Sequence, residues 1–274
     1  MIAVYICCPG ISGVFFMSPR KRRKKSNYNN YYLAASIAFL VLLVIFLLRW
    51  NESRRVKFVK YEKFGIEIPA DYQIHGIDVS RYQKNIAWDL VKDMNVEKIK
   101  IGFAFIKATE GENLVDPNFK QNWKNAEKSG VTRGVYHFFN PAKDAVKQAR
   151  FFAKQVKLKP GDLPPVLDIE TTGNIPTGLL KAKAKGWLKV VEAVYGVRPI
   201  IYTNADFYKK YLGGEFDEYP LWVAHYYEKR VPRINRSWIF WQHNDRGNVD
   251  GIKSKVDFNV FNGDSLAFRE FLIK

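Results

Sequence analysis

Cysteine is almost absent from this sequence, and its scarcity excludes one class of protein. The chain has 274 residues and two cysteines, Cys7 and Cys8, which are adjacent and precede every segment with the pattern of a folded domain. No disulfide can therefore cross-link the folded part, so the small disulfide-stapled folds are excluded. A chain of this length can instead bury a hydrophobic core large enough for one domain.

Histidine is also scarce, with four residues in the whole chain. His75, His225 and His243 lack the spacing of zinc ligands. We therefore expect neither a bound metal nor an organic cofactor. The sequence also lacks internal repeats and low-complexity segments, which excludes repeat architectures.

Acidic residues are missing from the first 50 positions, although these positions hold seven of the lysines and arginines. Six of the seven form the run RKRRKK at residues 20–25, and the uncharged, apolar residues 31–48 follow it. This apolar stretch is close to the length that crosses a bilayer as a helix. The positive-inside bias predicts a single span with the amino terminus in the cytoplasm and residues 51–274 outside the cytoplasmic membrane. A cleaved signal peptide is the alternative, but the apolar stretch is long for one and no small-residue cleavage site follows it.

The chain is predicted to have four parts. Residues 1–30 form a basic cytoplasmic tail, in which residues 1–16 are best explained by a misassigned start codon, because Met17 opens directly onto the basic run. Residues 31–48 are the membrane anchor, residues 49–73 a polar stalk, and residues 74–274 the folded domain.

The formal net charge of +17 is not confined to the tail, so the folded part is basic as well. A basic body can bind nucleic acid, anionic lipid or an acidic polymer such as peptidoglycan, which carries lactyl and peptide carboxylates. A nucleic-acid site requires basic residues interleaved with aromatic ones on one face, and the run RKRRKK is better explained as a topology signal. We expect no nucleic acid and no obligate protein as partners.

Short apolar runs alternate with segments of helical period from residue 75 onward. Strands that alternate with helices indicate a parallel sheet, and eight strands in this length indicate a closed barrel. The runs lie at residues 75–80, 100–109, 132–139, 164–170, 198–204, 220–226, 237–243 and 255–262, with helices near 86–95, 117–129, 143–156, 177–195 and 204–211. The predicted fold is α/β: an irregular TIM-like (β/α) barrel of eight strands with about five helices, preceded by one transmembrane helix.

The fourth run, LPPVLDIETT at residues 163–172, carries two carboxylates. Its two prolines exclude a helix, so the run is a buried strand that continues into a loop. Alternate side chains of a strand share a face, which places Asp168 and Glu170 together. Like charges this close raise the pKa of one partner, and a protonated acid is what glycosidic bond cleavage needs. The alternatives are a structural pair bound to lysine or arginine, or a metal site.

Other polar residues gather at the carboxyl ends of the remaining runs, at the rim where an α/β barrel carries its chemistry. They are Asp78, Ser80, Lys107, Glu110, Tyr136, His137, Tyr202, Asn204, Gln242, Asp257 and Asn259. We expect Lys107 and Glu110 to form an internal ion pair. His137 follows Tyr136 and should point to the opposite face, where it is buried with its hydrogen bonds satisfied.

Eight motifs in order resemble the glycoside hydrolase family 25 muramidases, also called the Chalaropsis-type lysozymes. They cover residues 74–262 and read GIDVSRYQ, FIKATEGENLVDPNF, GVYHFF, VLDIE, IIYTN, LWVAHY, FWQH and VDFNVFNG. The resemblance implies an irregular eight-stranded barrel that cleaves the β-1,4 bond between N-acetylmuramic acid and N-acetylglucosamine. Lys84, where the family usually has Gly or Pro, and the position of Gly102 depart from the pattern.

The resemblance also implies roles for four acids: Glu170 as proton donor, Asp168 beside it, and Asp78 and Asp257 as the other acids of the site. Glu170 reaches further from its strand, so we expect it to meet the leaving oxygen while Asp168 stays ionised. We favour a mechanism in which Asp168 orients the acetamido group of the substrate as the nucleophile. A direct role for Asp257 or Asp78 is the alternative.

Aromatic residues near the rim are expected to bind sugar rings through their faces. Tyr136, Tyr202, Trp222 and Trp241 are predicted to line the groove, with Gln242 and Ser80 as polar substrate contacts. Core packing is an equally good explanation for Trp222 and Trp241, because each lies inside an apolar run.

Two other functions compete with the predicted muramidase. A chitinase-like hydrolase has the signature D-x-x-D-x-D-x-E, but Leu163 and Val166 occupy two of its acidic positions here. A peptidoglycan-binding module that has lost turnover is the non-enzymatic alternative. Loss of activity commonly follows replacement of the proton donor, whereas all four acids are present.

Overall fold

The computed structural model describes residues 28–53 and 55–274. The chain divides into one unit that ends at Ser53 and a compact second unit from Arg54 to Lys274. Most of the predicted basic tail, including the questioned start at residues 1–16, lies outside the described residues.

The described part of the first unit is one helix, α1 (Tyr28–Ser53), of 26 residues. The most apolar 18-residue window within Asn30–Ser53 has a mean hydropathy of 2.7, and the helix is long and apolar enough to cross a membrane. A signal sequence near an amino terminus has the same length and composition, so this helix is a candidate span. It begins before and ends after the predicted residues 31–48.

The described part of the second unit contains twelve strands and six further helices. The strands are β1 (Phe58–Tyr61), β2 (Ile66–Pro69), β3 (Ile74–Val79), β4 (Asn95–Val96), β5 (Ile99–Glu110), β6 (Leu114–Val115), β7 (Thr132–Phe138), β8 (Val166–Asp168), β9 (Ile200–Asn204), β10 (Leu221–Ala224), β11 (Phe240–Gly247) and β12 (Val256–Phe261). The helices are α2 (Trp88–Asp93), α3 (Phe119–Lys128), α4 (Ala145–Gln155), α5 (Thr177–Tyr195), α6 (Ala205–Phe207) and α7 (Ser265–Phe271). A π-helical turn, Tyr208–Leu212, continues α6.

Eight of these strands close a barrel, which confirms the predicted fold. Their order is β3-β12-β11-β10-β9-β8-β7-β5, and β5 pairs with β3 to complete the circle. All neighbouring pairs are parallel except those of β12, which is antiparallel to both β11 and β3. The connection from β11 to β12 is too short for the crossover that a parallel strand needs, so the chain turns back. The parallel pairing predicted from alternating strands and helices does not extend to β12, which lies in the part of the predicted irregular barrel where the chain has no room for full helices.

Large aromatic side chains fill the interior of the barrel. Phe103, Phe105, Trp222 and Phe240 belong to one buried cluster, in which Phe105 stacks on Trp222 with 4.2 Å between ring centroids. The neighbouring strand residues point outward into a second cluster beneath the helices. Gly134 leaves space for this packing, because a Cβ there would overlap the ring of Phe105.

The segment expected to be a stalk contains structure that the sequence did not predict. Strands β1 and β2 form an antiparallel hairpin within residues 49–73. Phe64 in its turn and Ile68 in β2 are fully buried in the outer core cluster. The hairpin therefore belongs to the folded body. Helix α7, after the last strand, was also not predicted.

Candidate active site

A pocket of about 240 Å³ opens at the end of the barrel where the parallel strands have their carboxyl ends. It is lined by Asp78, Ser80, Tyr82, Lys107, Tyr136, Phe138, Asp168, Glu170, Tyr202, Trp222, Tyr226, Gln242 and Asp257. All four predicted acids are among these residues. The structure therefore brings together in one volume side chains that lie up to 179 positions apart between Asp78 and Asp257.

The two acids of the fourth barrel strand share a face, as the period of two predicted. Leu167 and Ile169 are fully buried in the outer cluster, whereas Asp168 and Glu170 line the pocket. Asp168 is 5% exposed, while Glu170 follows the strand and is exposed at the mouth of the pocket. The longer acid thus stands nearest to solvent, and the shorter one lies deeper.

Asp78 is held by two side-chain amides. Gln242 Nε2 donates to Asp78 Oδ2 at 2.7 Å, and Asn259 Nδ2 donates to the same oxygen at 2.8 Å. Behind them, Tyr202 and Tyr226 each donate an O–H to Gln242 Oε1 at 2.6 Å. These donors fix the orientation of the Gln242 amide, so its N–H end points at the Asp78 carboxylate.

The tryptophan beneath this network extends it downward. Trp222 Nε1 donates to Asn259 Oδ1 at 2.8 Å, which fixes the orientation of the Asn259 amide as well. A carboxylate with several such donors is stabilised in its charged form. Asp78 is therefore the best-supported site for negative charge in the pocket.

Asp257 reaches the pocket because its strand runs in the opposite direction. It is the second residue of β12, at the amino end of the strand, and it pairs directly with Asp78 of β3. The sequence analysis grouped Asp257 with residues at the carboxyl ends of parallel strands. Asp257 does not lie at the carboxyl end of its strand, so that part of the prediction is wrong. It does lie at the predicted rim, because β12 runs in the opposite direction and its amino end is on the same side of the barrel.

Burial raises the pKa of all four carboxyl groups. For Asp78 the pKa rises to about 6, and the two amide donors oppose the rise. Burial and the neighbouring Asp78 raise the pKa of Asp257 to about 9. Burial also raises the pKa of Glu170, against Tyr202 and Lys107, which pull it down. Each of these acids therefore keeps its proton to a higher pH than it would in water.

Asp168 has the strongest reason to be neutral. Burial and the neighbouring Glu170 raise its pKa well above the usual value, and its Oδ1 atom is buried with no hydrogen-bond partner among the described residues. A raised pKa disfavours the ionised form of Asp168 that the sequence predicted. That expectation rested on side-chain length and took no account of how little water reaches the base of the pocket.

Lys107 provides a positive charge beside the acids. Its Nζ atom lies 2.7 Å from Glu110 Oε2 and 4.7 Å from the centre of the Phe138 ring, which confirms the predicted internal ion pair. Its charge lowers the pKa values of Asp168 and Glu170 against the effect of burial. Lys107 therefore lines the pocket, at the rim where the sequence predicted it.

The predicted sugar-binding residues divide into two groups. Tyr136, Tyr202, Trp222, Gln242 and Ser80 all line the pocket. Trp241, by contrast, is fully buried in the outer cluster, where its Nε1 donates to the His225 carbonyl oxygen. Because side chains alternate along β11, Gln242 faces inward and Trp241 must face outward. The prediction that Trp241 contacts substrate is corrected on this ground.

Tyr226 and Tyr82 also line the pocket but were not predicted as site residues. Tyr226 ends the sixth apolar run, and Tyr82 follows Ser80 in a short 3₁₀ turn, Arg81–Gln83. An aromatic residue just beyond a barrel strand was the available signal for both.

His137 is buried as predicted, hydrogen-bonded to Thr109 Oγ1 at 2.7 Å and to Gln148 Oε1 at 3.2 Å. Within residues 28–53 and 55–274, no group of three or more His, Cys, Asp or Glu side chains could hold a metal ion.

The fold and the pocket together define a class of protein. An exposed carboxylic acid with a raised pKa stands over further acids, and tyrosine and tryptophan rings line the same pocket. Acid catalysis beside aromatic surfaces is the chemistry of a glycoside hydrolase.

Comparisons with known proteins identify the family. A family model described as Glycosyl hydrolases family 25 matches residues 77–252. An Escherichia coli K12 protein, YegX, described as uncharacterized, is 52% identical over 202 residues, which are 74% of this chain and 74% of its own. Lysozyme M1 of Streptomyces globisporus is 38% identical over 211 residues, 71% of this chain and 70% of its own.

The solved structure of a family 25 glycosyl hydrolase from Bacillus anthracis superposes with a TM-score of 0.69 at 30% identity, covering 78% of this chain and 100% of that chain. The chain belongs to glycosyl hydrolases family 25, and it is a glycoside hydrolase.

Proposed function

We propose that this protein is a muramidase that hydrolyses the β-1,4 bond between N-acetylmuramic acid and N-acetylglucosamine in peptidoglycan. One observation supports this most directly: Glu170 lies exposed at the mouth of the pocket above three further acids. Lysozyme M1, which resembles this chain over most of its length, carries a name for the same activity. The aromatic lining gives a pyranose ring apolar faces to pack against.

Glu170 acts as the general acid. Burial raises its pKa, which favours the protonated carboxyl that the leaving sugar oxygen needs. Its exposure lets it meet a glycosidic oxygen that enters from solvent. After bond cleavage, the same carboxylate can take a proton from the attacking water.

Asp168 positions the acetamido group of the substrate. Its buried Oδ1 has no partner in the described protein, so it offers an unused acceptor to the acetamido N–H. When the acetamido oxygen attacks the anomeric carbon, positive charge develops on the acetamido group. That charge strengthens the hydrogen bond from the acetamido N–H to Asp168 Oδ1, which stabilises the cationic cyclic intermediate.

Asp78 and Asp257 complete the electrostatics of the site. Asp78, held by Gln242 and Asn259, places negative charge next to the oxocarbenium-like centre. Asp257 is paired with Asp78 across the two strands, and its raised pKa keeps it protonated while Asp78 is charged. The two groups thus share one negative charge.

The test incubates the purified full chain, in detergent, with purified peptidoglycan and analyses the released sugars by mass spectrometry. We expect fragments with a muramic-acid reducing end from the native chain and none from Glu170→Gln. A glucosamine reducing end would identify a glucosaminidase instead. Binding without release by either protein would identify a wall-binding module, and cleavage of chitin but not of peptidoglycan would favour a chitinase-like enzyme.

We also propose that α1 anchors the enzyme in the cytoplasmic membrane, with the amino terminus inside and the barrel outside, in the periplasm or cell wall. The uncharged helix and the basic run that precedes it support this orientation. Cysteines introduced at exposed Asp206 and near residue 20 test it. In intact cells, a membrane-impermeant thiol reagent should label only the cysteine at position 206. Labelling at residue 20 would indicate the opposite topology.

A further inference from the structure

Four exposed cations lie on the side of the pocket formed by two loops. The first loop follows β3 and carries Arg81 and Lys84, and the second precedes β12 and carries Lys253 and Lys255. The two strands are neighbours, so both loops rise from the same part of the barrel mouth. We call these four residues the basic rim.

Hydrogen bonds join the two loops to each other. Gln83 Nε2 donates to the Lys255 carbonyl oxygen at 2.9 Å, and Ala87 N donates to the Gly251 carbonyl oxygen at 3.0 Å. The Ser254 hydroxyl also donates to the Tyr82 carbonyl oxygen at 3.4 Å. The basic rim is therefore one connected surface.

The basic rim is continuous with the pocket. Tyr82, between Arg81 and Lys84, lines the pocket and is 67% exposed. On the other loop, Asp257 lines the pocket two residues after Lys255. A polymer seated in the pocket must therefore pass the basic rim on this side.

The four cations of the basic rim form no ion pair in the described part of the chain, and Glu110 and Asp116 act on the charge of Arg81 from beyond ion-pair distance. In the part of the chain that the structure describes, none of its four residues is within salt-bridge distance of a carboxylate. Lys255 Nζ donates to the neutral Asn248 Oδ1, and Arg81 contacts the Tyr82 ring and hydroxyl. Asp116, the nearest acid that contacts this loop, accepts the backbone N–H of Arg81 instead of its guanidinium.

Lys84 occupies a backbone conformation that suits glycine. Its φ is 52° and its ψ is −133°, a region that side chains rarely adopt. Glycine would adopt the same turn without strain, so the turn alone gives no reason for lysine here. The presence of lysine despite this cost points to a use for its charged side chain.

We propose that the basic rim binds the carboxylates of the peptides attached to muramic acid, so the enzyme acts preferentially on glycan strands that carry their peptides. This inference rests on the proposed muramidase function and names the substrate class of the same site. Each muramic acid bears its peptide through the lactyl group, and such peptides hold acidic side chains and a free carboxyl terminus. The basic rim borders the pocket at Tyr82 and Asp257, so a peptide that leaves a bound glycan on this side would meet it.

The experiment compares two soluble polymers: peptidoglycan glycan strands with their peptides, and the same strands after an amidase has removed them. We measure kcat/KM of the full chain on both, and the dissociation constant of each polymer for Glu170→Gln. We expect the triple variant Lys84→Gly, Lys253→Gln, Lys255→Gln to lose on the order of tenfold on peptide-bearing strands. On stripped strands it should remain within about twofold of the native value.

The control variant removes the same charge elsewhere: Lys154→Gln, Lys157→Gln and Lys189→Gln, all exposed and none lining the pocket. It should leave both substrates unchanged. Lys84→Gly alone should lower kcat/KM on peptide-bearing strands without lowering the melting temperature. Lys84→Arg, which keeps the charge, should retain the native kcat/KM on these strands.

Equal losses on both polymers would overturn the inference in favour of the lactyl carboxylate or general attraction. Equal effects of the rim and control variants would also overturn it. If the native chain cleaves neither polymer, the proposed function fails, while the two dissociation constants still decide whether the basic rim reads the peptides.

Discussion

The two layers of the barrel interior differ sharply although the same strands supply both. In the layer further from the mouth, Phe103, Phe105 and Phe240 pack in a dry aromatic cluster. In the layer at the mouth, four carboxyl groups share one pocket. On β8, Val166 belongs to the first layer and Asp168 to the second, two residues apart.

The acids at the mouth owe their raised pKa values to the aromatic layer beneath them. Trp222 belongs to the aromatic cluster, lines the pocket and donates to Asn259, which holds Asp78. Because the aromatic layer keeps water from the base of the pocket, the buried carboxyls retain their protons. The aromatic layer stabilises the fold. The burial of carboxyl groups at the mouth costs part of this stability and raises their pKa values.

Glu170→Gln should separate the two layers most clearly. Glutamine keeps the shape of the side chain but cannot donate a proton to a leaving oxygen, so kcat should fall by about 10³- to 10⁴-fold. Because Glu170 is exposed and outside the aromatic layer, the melting temperature should not fall. Release assays on peptidoglycan and thermal unfolding measure the two effects. A large loss of stability would mean that the mouth layer also supports the fold.

Phe105→Ala should have the opposite profile. Phe105 is fully buried, stacks on Trp222 and packs edge-on against Phe240, so its truncation leaves a cavity. The free energy of unfolding should fall by about 3–4 kcal/mol, as for other buried phenylalanines. Urea unfolding measures it, and exposed Tyr227→Ala is the control. A decrease in the free energy of unfolding below about 1 kcal/mol would contradict the conclusion that the aromatic layer stabilises the fold.

Asp257→Asn should change how stability depends on pH. Because the pKa of Asp257 is raised from 3.8 to about 9, the folded chain keeps this proton where the unfolded chain has lost it. The native protein should therefore lose stability as the pH rises from about 4 to 9. Asparagine cannot ionise, so the variant should be more stable at pH 8 by on the order of 1–3 kcal/mol.

Urea unfolding at pH 5, 6.5 and 8 measures the pH slope for the native protein and Asp257→Asn. Asp206→Asn, at an exposed carboxylate, is the control and should leave the slope unchanged. A native stability that rises between pH 5 and pH 8, or a variant with the native slope, would refute the raised pKa of Asp257.

Local alternation predicted most of the site, and chain direction accounts for much of what it missed. The period of two placed Asp168 with Glu170 correctly, and the same rule applied to Gln242 would have turned Trp241 outward. The reversal of β12 could not be read from its residues, since VDFNVF is a strand in either direction. The hairpin β1–β2 was missed because its buried residues, such as Phe64 and Ile68, are separated by charged ones.

The smallest expected effect concerns the hydroxyls that hold Gln242. Tyr202 and Tyr226 donate to the same Oε1 atom, so either Tyr→Phe change leaves one donor in place. Each single variant should lower kcat/KM by about two- to fivefold, the value of one hydrogen bond. The melting temperature should change little.

The double variant should lose more than the product of the single losses. With neither hydroxyl present, Gln242 Oε1 has no donor and the amide can rotate, which presents an oxygen instead of an N–H to Asp78. The pKa of Asp78 should then rise above about 6, and the activity should shift toward higher pH. A double-mutant cycle on pH–rate profiles measures this coupling. Strictly additive losses with an unmoved profile would mean that the amide holds its orientation without the tyrosines, and that the mouth layer is fixed by Asn259 and Trp222 alone.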